Sequence, residues 1–240
     1  MRHRELLPAI AICSAALTAF VWLTASLGTG GVLPSIDVWI ATWMRDHAVP
    51  SVTYAMIAIS FLGAPSTLTA ITAVICAVLV GKRNYHRLVA LLILVLGGNL
   101  LNYGLKALIH RDRPSFEDPL LTLPSYSFPS GHALASTVFY GFAITCVLAI
   151  VPRQNRAVAA AGIAMIGLVC LSRVYLGVHY LSDVLGGVLE GIAWSILVLA
   201  TLRGNIEIRR YSWQVSAGTF EANGSEHFER SANGWRRQSE

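Results

Sequence analysis

The chain has 240 residues, 55% of them hydrophobic and 13% charged, with a net charge of +5 and a mean hydropathy of +0.58. Soluble domains carry about 25% charged residues, so this composition points to an integral membrane protein. It also argues against nucleic-acid binding, because the cations stand in short segments between apolar runs and form no cluster on a solvated face.

Six stretches, 8–27, 52–80, 88–109, 132–151, 157–174 and 179–202, approach or exceed the roughly 20 apolar residues that a helix needs to cross the hydrocarbon core. The first follows Arg2 and Arg4 as a signal peptide would. Its apolar run is longer than a signal core and no clean cleavage site follows it, so it is expected to stay as a helix. Segment 35–47 comes next, with Ile36, Ile40, Trp43 and Met44 on one helical face and Trp39 adjoining. That pattern predicts a short helix in the membrane interface, anchored by tryptophan. The second stretch is interrupted by Gly63-Ala64-Pro65, where proline is expected to kink it. Cys13, Cys76, Cys146 and Cys170 all fall in apolar stretches without a C-x-x-C pair and are expected to be small buried residues.

From about residue 203 the chain turns polar, rich in Ser, Gly and Asn, and repeats Ala-Asn-Gly at 222–224 and 232–234. The predicted fold class is therefore all-α, a polytopic bundle of six transmembrane helices plus a short interfacial helix. It divides into a membrane domain over 1–202 and a disordered cytoplasmic tail over 203–240. Cytoplasmic loops are enriched in Lys and Arg. With a cytoplasmic N-terminus, that side holds Arg2, Arg4, Lys82, Arg83, Arg87, Arg153, Arg156, Arg203, Arg209 and Arg210, against Arg45, Lys106, Arg111, Arg113 and Arg173 on the other. Both termini are thus expected in the cytoplasm, in a bacterial inner membrane.

Polar residues at membrane depth are costly and mark function by default. They fall here in three blocks, 106–114, 129–132 and 172–183. In the first, Asn99, Asn102 and Lys106 share a helical face, and the chain leaves the helix through His110-Arg111-Asp112-Arg113-Pro114. Lysine is a point charge and arginine a planar fork, and both suit phosphate oxygens. In the second, Pro129-Ser130-Gly131-His132 precedes an apolar helix, with Ser130 placed to cap it, Gly131 allowing close approach of the backbone, and the helix N-terminus favouring an anion beside His132. In the third, Ser172-Arg173 closes one stretch, while His179 opens the next with Asp183 one turn on. A carboxylate there can hold one imidazole nitrogen and leave the other free to attack.

These blocks, Lys106-ALIHRD-Arg113-Pro114, Pro129-Ser130-Gly131-His132 and Ser172-Arg173-VYLGV-His179-YLS-Asp183, resemble the signature of the type 2 phosphatidic acid phosphatase family, at every defining position. The resemblance implies a membrane phosphatase acting on a lipid phosphate at the extracytoplasmic face, without metal or other cofactor. Lys106, Arg113 and Arg173 would bind phosphate oxygens, helped by Ser130 and the Gly131 backbone. His179, oriented by Asp183, would become a phosphohistidine, and His132 would protonate the leaving oxygen. Phosphatidate-type and undecaprenyl-diphosphate-type substrates are not separated by this signature, and oligomeric state is not encoded in it. Vanadate-dependent haloperoxidases share the signature but are soluble, and a non-enzymatic lipid transporter leaves the catalytic spacing unexplained.

Glu190 continues the Asp183 face into the bilayer, where Asn99 or Asn102 could satisfy it. Gly187 and Gly191 form a G-x-x-x-G pair that predicts a close helix contact within the chain. His110, between Lys106 and Arg113, is expected to be a bystander, and His47, His86, Glu117 and Asp118 to be loop residues.

Overall fold

The computed structural model describes residues 3–28, 30–116, 121, 124–148 and 155–202. The expected tail over 203–240 and the loop positions Glu117 and Asp118 lie outside the described residues. Among those described, all regular structure is helical: α1 (His3–Leu27), α2 (Val32–Asp46), α3 (Pro50–Leu62), α4 (Pro65–Gly81), α5 (Tyr85–Leu92), a π turn (Ile93–Gly97), α6 (Gly98–Ile109), α7 (Gly131–Leu148), α8 (Asn155–Tyr175) and α9 (Leu181–Leu202).

Five continuous helices are long and apolar enough to cross a membrane, with α5, the π turn and α6 acting as one of them. Helices α3 and α4 pass the same test as a pair bent by 42°, which brings the candidate spans to six when the pair is counted as one. The bend falls where Gly63-Ala64-Pro65 predicts it: Pro65 opens α4 at the position where a missing N–H costs nothing. The chain is therefore an integral membrane protein with an all-helical, multispan fold. Leu7, Trp22 and Leu100 are among the large apolar side chains on its outer surface, which is the surface that a bilayer solvates.

The π turn has no sequence signal, but its cause is visible. Trp194 of α9 lies against Gly97 and Gly98, and its Nε1 donates to the Leu94 carbonyl at 3.0 Å. A side chain reaching into the ladder and taking one of its carbonyls lets one turn widen. Leu94 and Val95 of that turn, with Leu91 just before it, pack with Leu134 and Val138 of α7 and Val198 of α9 as the principal core.

Helix α2 forms where the pattern predicts it, and its tryptophans stand on the outer surface as those of an interfacial helix would. Ile40 and Met44 turn inward, onto Ala133, Val174 and Val184. Ile36, Trp39 and Trp43 are exposed, and the fully buried residues are Ala41 and Asp37. The helix takes a carboxylate inside, and the partners of that carboxylate explain why. The cysteines differ from expectation: all four are free and half-buried.

Gly187 and Gly191 make the predicted contact. A methyl group on Gly187 would lie 2.9 Å from the Ala133 Cβ and against the Ser130 carbonyl, and one on Gly191 would lie 2.8 Å from Thr137. Helix α9 thus rests with its backbone on the start of α7. Gly187→Ala is expected to lower the thermal midpoint in detergent, overpacking of this kind costing about 1–3 kcal/mol. Gly104→Ala, where an added methyl meets nothing within 4 Å, is expected to leave it unchanged or higher.

Candidate active site

The three blocks meet where α6 ends, α7 begins and α8 turns into α9. His110 takes the chain off α6 in a left-handed conformation, φ 54°. The segment after it has no regular structure. Arg111 and Arg113 both reach back to the start of α9, while Lys106 reaches from the last turn of α6 to the carbonyls of Tyr126 at 2.7 Å and Ser127 at 3.1 Å. The Arg113 fork is fully engaged. Its Nε donates to the Ser125 carbonyl at 2.7 Å, one terminal nitrogen to Ser125 Oγ at 3.0 Å and the Tyr126 carbonyl at 3.1 Å, and the other to the Val178 carbonyl at 2.5 Å. Burial pulls this guanidinium below its ordinary pKa, and Asp183 acts in the opposite direction.

Ser130 is fully buried, its amide donating to the Asp183 carbonyl at 2.9 Å, which ties the start of α7 to α9. Its Oγ faces the Ala133 amide at a long 3.5 Å, in the manner of a helix cap. Gly131 opens α7, and a methyl there would come within 3.2 Å of Asn102 Oδ1. His132, one residue further, is half-buried and lies within electrostatic reach of Arg173, His179, Arg113 and Lys106.

Arg173 is 2% exposed. One terminal nitrogen donates to Ser60 Oγ from α3, while its Nε and other terminal nitrogen have no partner among the described residues. Buried donors are nearly always paired, so a guanidinium edge left open in this way is suited to an oxyanion. The α8–α9 turn is short because Gly177 adopts φ +67°, with Phe116 packed where a side chain would be.

His179 lies in that turn, ahead of the Leu181–Leu202 span. Its Nδ1 is 3.4 Å from Asp183 Oδ2, and its Nε2 is 3.2 Å from the Arg113 terminal nitrogen. Burial pushes the imidazole down to about 4, more strongly than the Asp183 hydrogen bond pushes it up. At neutral pH the ring is therefore uncharged, with a lone pair available on Nε2.

All eight expected site residues thus fall in one region: Lys106, Arg113, Ser130, Gly131, His132, Arg173, His179 and Asp183. Sequence reasoning missed several others. Asp183 Oδ2 also accepts from Ser127 Oγ and from the Tyr180 amide at 2.8 Å, and its Oδ1 accepts from Arg111 at 2.5 Å. Arg111 continues to Asp37 at 2.8 Å and to Ser182 Oγ at 2.6 Å. The available signals were an aspartate among the apolar residues Ile36, Val38 and Trp39 of α2 and an arginine two residues before Arg113. Ser60, in the last turn of an apolar helix, gave none. Glu190 is buried, with Oε2 accepting from Asn102 Nδ2 at 2.8 Å; of the two asparagines expected to satisfy it, Asn102 does.

A family model described as the PAP2 superfamily matches residues 87–207, which contain all three blocks. Phosphatidylglycerophosphatase B of Bacillus subtilis is 34% identical over 184 residues, covering 75% of this chain and 89% of that protein. The crystal structure of a transmembrane PAP2-type phosphatidylglycerolphosphate phosphatase from Bacillus subtilis is 33% identical, with a TM-score of 0.72 over 79% of this chain and 94% of the other. LpxE of Aquifex aeolicus, 21% identical with a TM-score of 0.56 over 68% of this chain and 94% of its own, shares the fold.

The open edge of Arg173 yields a direct test. Arg173→Ala and Arg173→Lys are both expected to weaken orthovanadate binding by about 10–100-fold, the equivalent of about 1.5–3 kcal/mol for a hydrogen bond to a charged group. Retained affinity in Arg173→Lys would show that a point charge suffices and that the guanidinium fork is not used.

Proposed function

The chain belongs to the PAP2 superfamily and is a membrane lipid phosphatase, a phosphoric ester hydrolase, and from that premise we propose how it works and on what. The substrate is a lipid phosphomonoester of the phosphatidylglycerophosphate kind, cleaved at the extracytoplasmic face through a phosphohistidine. The relatives' substrate supports the choice of lipid, and the excess of Lys and Arg in the opposite loops supports the orientation. The observation that carries the mechanism is His179, buried and neutral, with Nδ1 toward Asp183 and Nε2 toward the cations.

The phosphoryl group is received by the open edge of Arg173, by Arg113 and Lys106, and by the amides at the start of α7, next to Gly131. Ser130 contributes by holding that turn against α9. His179 Nε2 attacks phosphorus, and the bond to the lipid oxygen breaks. The electron pair leaves with that oxygen, which takes a proton from His132. Positive charge develops on the imidazole and is stabilised through Nδ1–H by the Asp183 carboxylate. Water then attacks phosphorus while His132 accepts its proton, the P–N bond breaks, and His179 is restored. Charge neutralisation comes from three fixed cations in a low-dielectric site, where preorganised donors contribute most.

Purified protein in detergent, with excess chelator, is expected to release phosphate from phosphatidylglycerophosphate faster than from phosphatidic acid or an isoprenyl diphosphate. Enzyme quenched in alkaline denaturant is expected to carry a base-stable phosphohistidine that acid releases, absent from His179→Ala together with all turnover. Full activity in His179→Ala would remove the mechanism; faster turnover of the diphosphate would replace the substrate assignment with an undecaprenyl-diphosphate-type one. The acid limb of kcat/KM that belongs to free His179 is expected near pH 4, activity falling as the ring takes a proton.

A further inference from the structure

Asp37 is an aspartate on a short helix outside the set of spans, yet it is 1% exposed. A buried carboxylate persists only where charge and hydrogen bonds compensate its desolvation. Every partner it has among the described residues belongs to the catalytic region. Oδ1 accepts from the Ser182 amide at 3.0 Å, and Oδ2 accepts from Ser182 Oγ and from Arg111 at 2.8 Å. Arg111 is a fork between two carboxylates on different helices, with one terminal nitrogen on Asp37 and the other on Asp183 Oδ1 at 2.5 Å. Its guanidinium carbon also sits 4.4 Å above the centre of the Tyr180 ring, between His179 and Ser182.

The two oxygens of Asp183 are treated differently. Oδ2 faces His179 Nδ1, Ser127 Oγ and the Tyr180 amide, whereas Arg111 is the partner of Oδ1 among the described residues. Fixing Oδ1 sets the rotation of the carboxylate, and that rotation decides whether Oδ2 meets His179. Arg111 is in turn fixed by Asp37, because a planar fork placed between two acceptors has one orientation. We propose that Asp37 and Arg111 are a positioning pair: helix α2 supplies a charge that holds Asp183, and through it His179, in the attacking geometry. The inference rests on the phosphohistidine reading above. It makes α2 part of the active site, in addition to any anchoring role in the membrane, and it explains why that helix buries an aspartate.

The test uses the full-length enzyme in detergent with phosphatidylglycerophosphate as substrate and compares Asp37→Asn, Arg111→Gln, Arg111→Lys, the Asp37→Asn/Arg111→Gln double variant and His179→Ala. Loss of the pair is expected to lower kcat by about 10–100-fold, the range for outer partners of a reactive ligand, with KM within about threefold of wild type because neither residue binds phosphate. Arg111→Lys is expected to recover part of kcat, and the double variant to lose no more than Arg111→Gln alone, since Asp37 acts through Arg111. A raised KM at wild-type kcat, or additive losses in the double variant, would overturn the pair. If a charge-removing variant loses the wild-type elution profile, Ser182→Ala is read in its place. It keeps both charges, removes the hydroxyl that bridges them, and is expected to lower kcat several-fold; unchanged kcat there overturns the proposal. Inactive His179→Ala beside a wild-type Arg111→Gln defeats the pair alone, whereas an active His179→Ala defeats the phosphohistidine reading and the pair with it.

Discussion

A carboxylate with no exposure to water must be surrounded by donors, and most of this site is arranged to supply them to Asp183. Its side chain is 0% exposed and is reached from Arg111, Ser127, the Tyr180 amide and His179, while its carbonyl accepts from the Ser130 amide. Those donors come from the segment after α6, the loop before α7 and the start of α9. One buried charge therefore holds the three blocks together, and none of the three connections is long. Isolated ionisation at such a place would be prohibitive; with this set of donors it becomes the anchor of the local structure.

The cations face the converse problem. Lys106, Arg113 and Arg173 gather at one end of an apolar bundle, and like charges at that spacing repel strongly in low dielectric. Much of the compensation is neutral: Lys106 and Arg113 lean on carbonyls of Ser125, Tyr126, Ser127 and Val178. Carbonyl dipoles stabilise the cations without cancelling their charge, so a net positive field survives for an incoming phosphoryl group. Arg173 differs: among the described residues Ser60 alone accepts from its side chain, and two of its donor nitrogens stay open. The three cations are thus not equivalent: Lys106 and Arg113 rest on neutral acceptors of the protein, and Arg173 is held from one side and open on the other.

Much of this was legible in the sequence. Apolar length gave the spans, Gly63-Ala64-Pro65 gave the bend between α3 and α4, and the three polar blocks gave the residues that converge. Three things were not legible, each because it depends on a partner distant in sequence. The π turn at Ile93–Gly97 is made by Trp194, about a hundred residues away. The burial of Asp37 on α2 depends on Arg111 and Ser182, which lie on other elements of the bundle. Ser60 matters only because α8 places Arg173 beside it. Periodicity reports which residues share a face; it does not report which partners meet that face.

The spacing along α9 shows how a single helix stripe registers the whole site. On α9, Asp183, Gly187 and Glu190 follow one another at intervals of four and three and so lie on one face, and His179 in the turn before the helix meets the first of them. At the top is the imidazole, and below it the carboxylate that faces it. A turn below, Gly187 has no side chain, so the backbone at Ser130 and Ala133 closes onto the helix. That close approach lets the Ser130 amide reach the Asp183 carbonyl at 2.9 Å. Below again, Glu190 holds Asn102, whose amide also points at the Pro129 carbonyl at 3.4 Å. The turn that opens α7 is therefore gripped at both sides by the stripe that meets the histidine. Shifting Asp183, Gly187 or Glu190 by one residue would rotate it about 100° off the face, so the carboxylate and the small residue one turn after it express one geometric requirement.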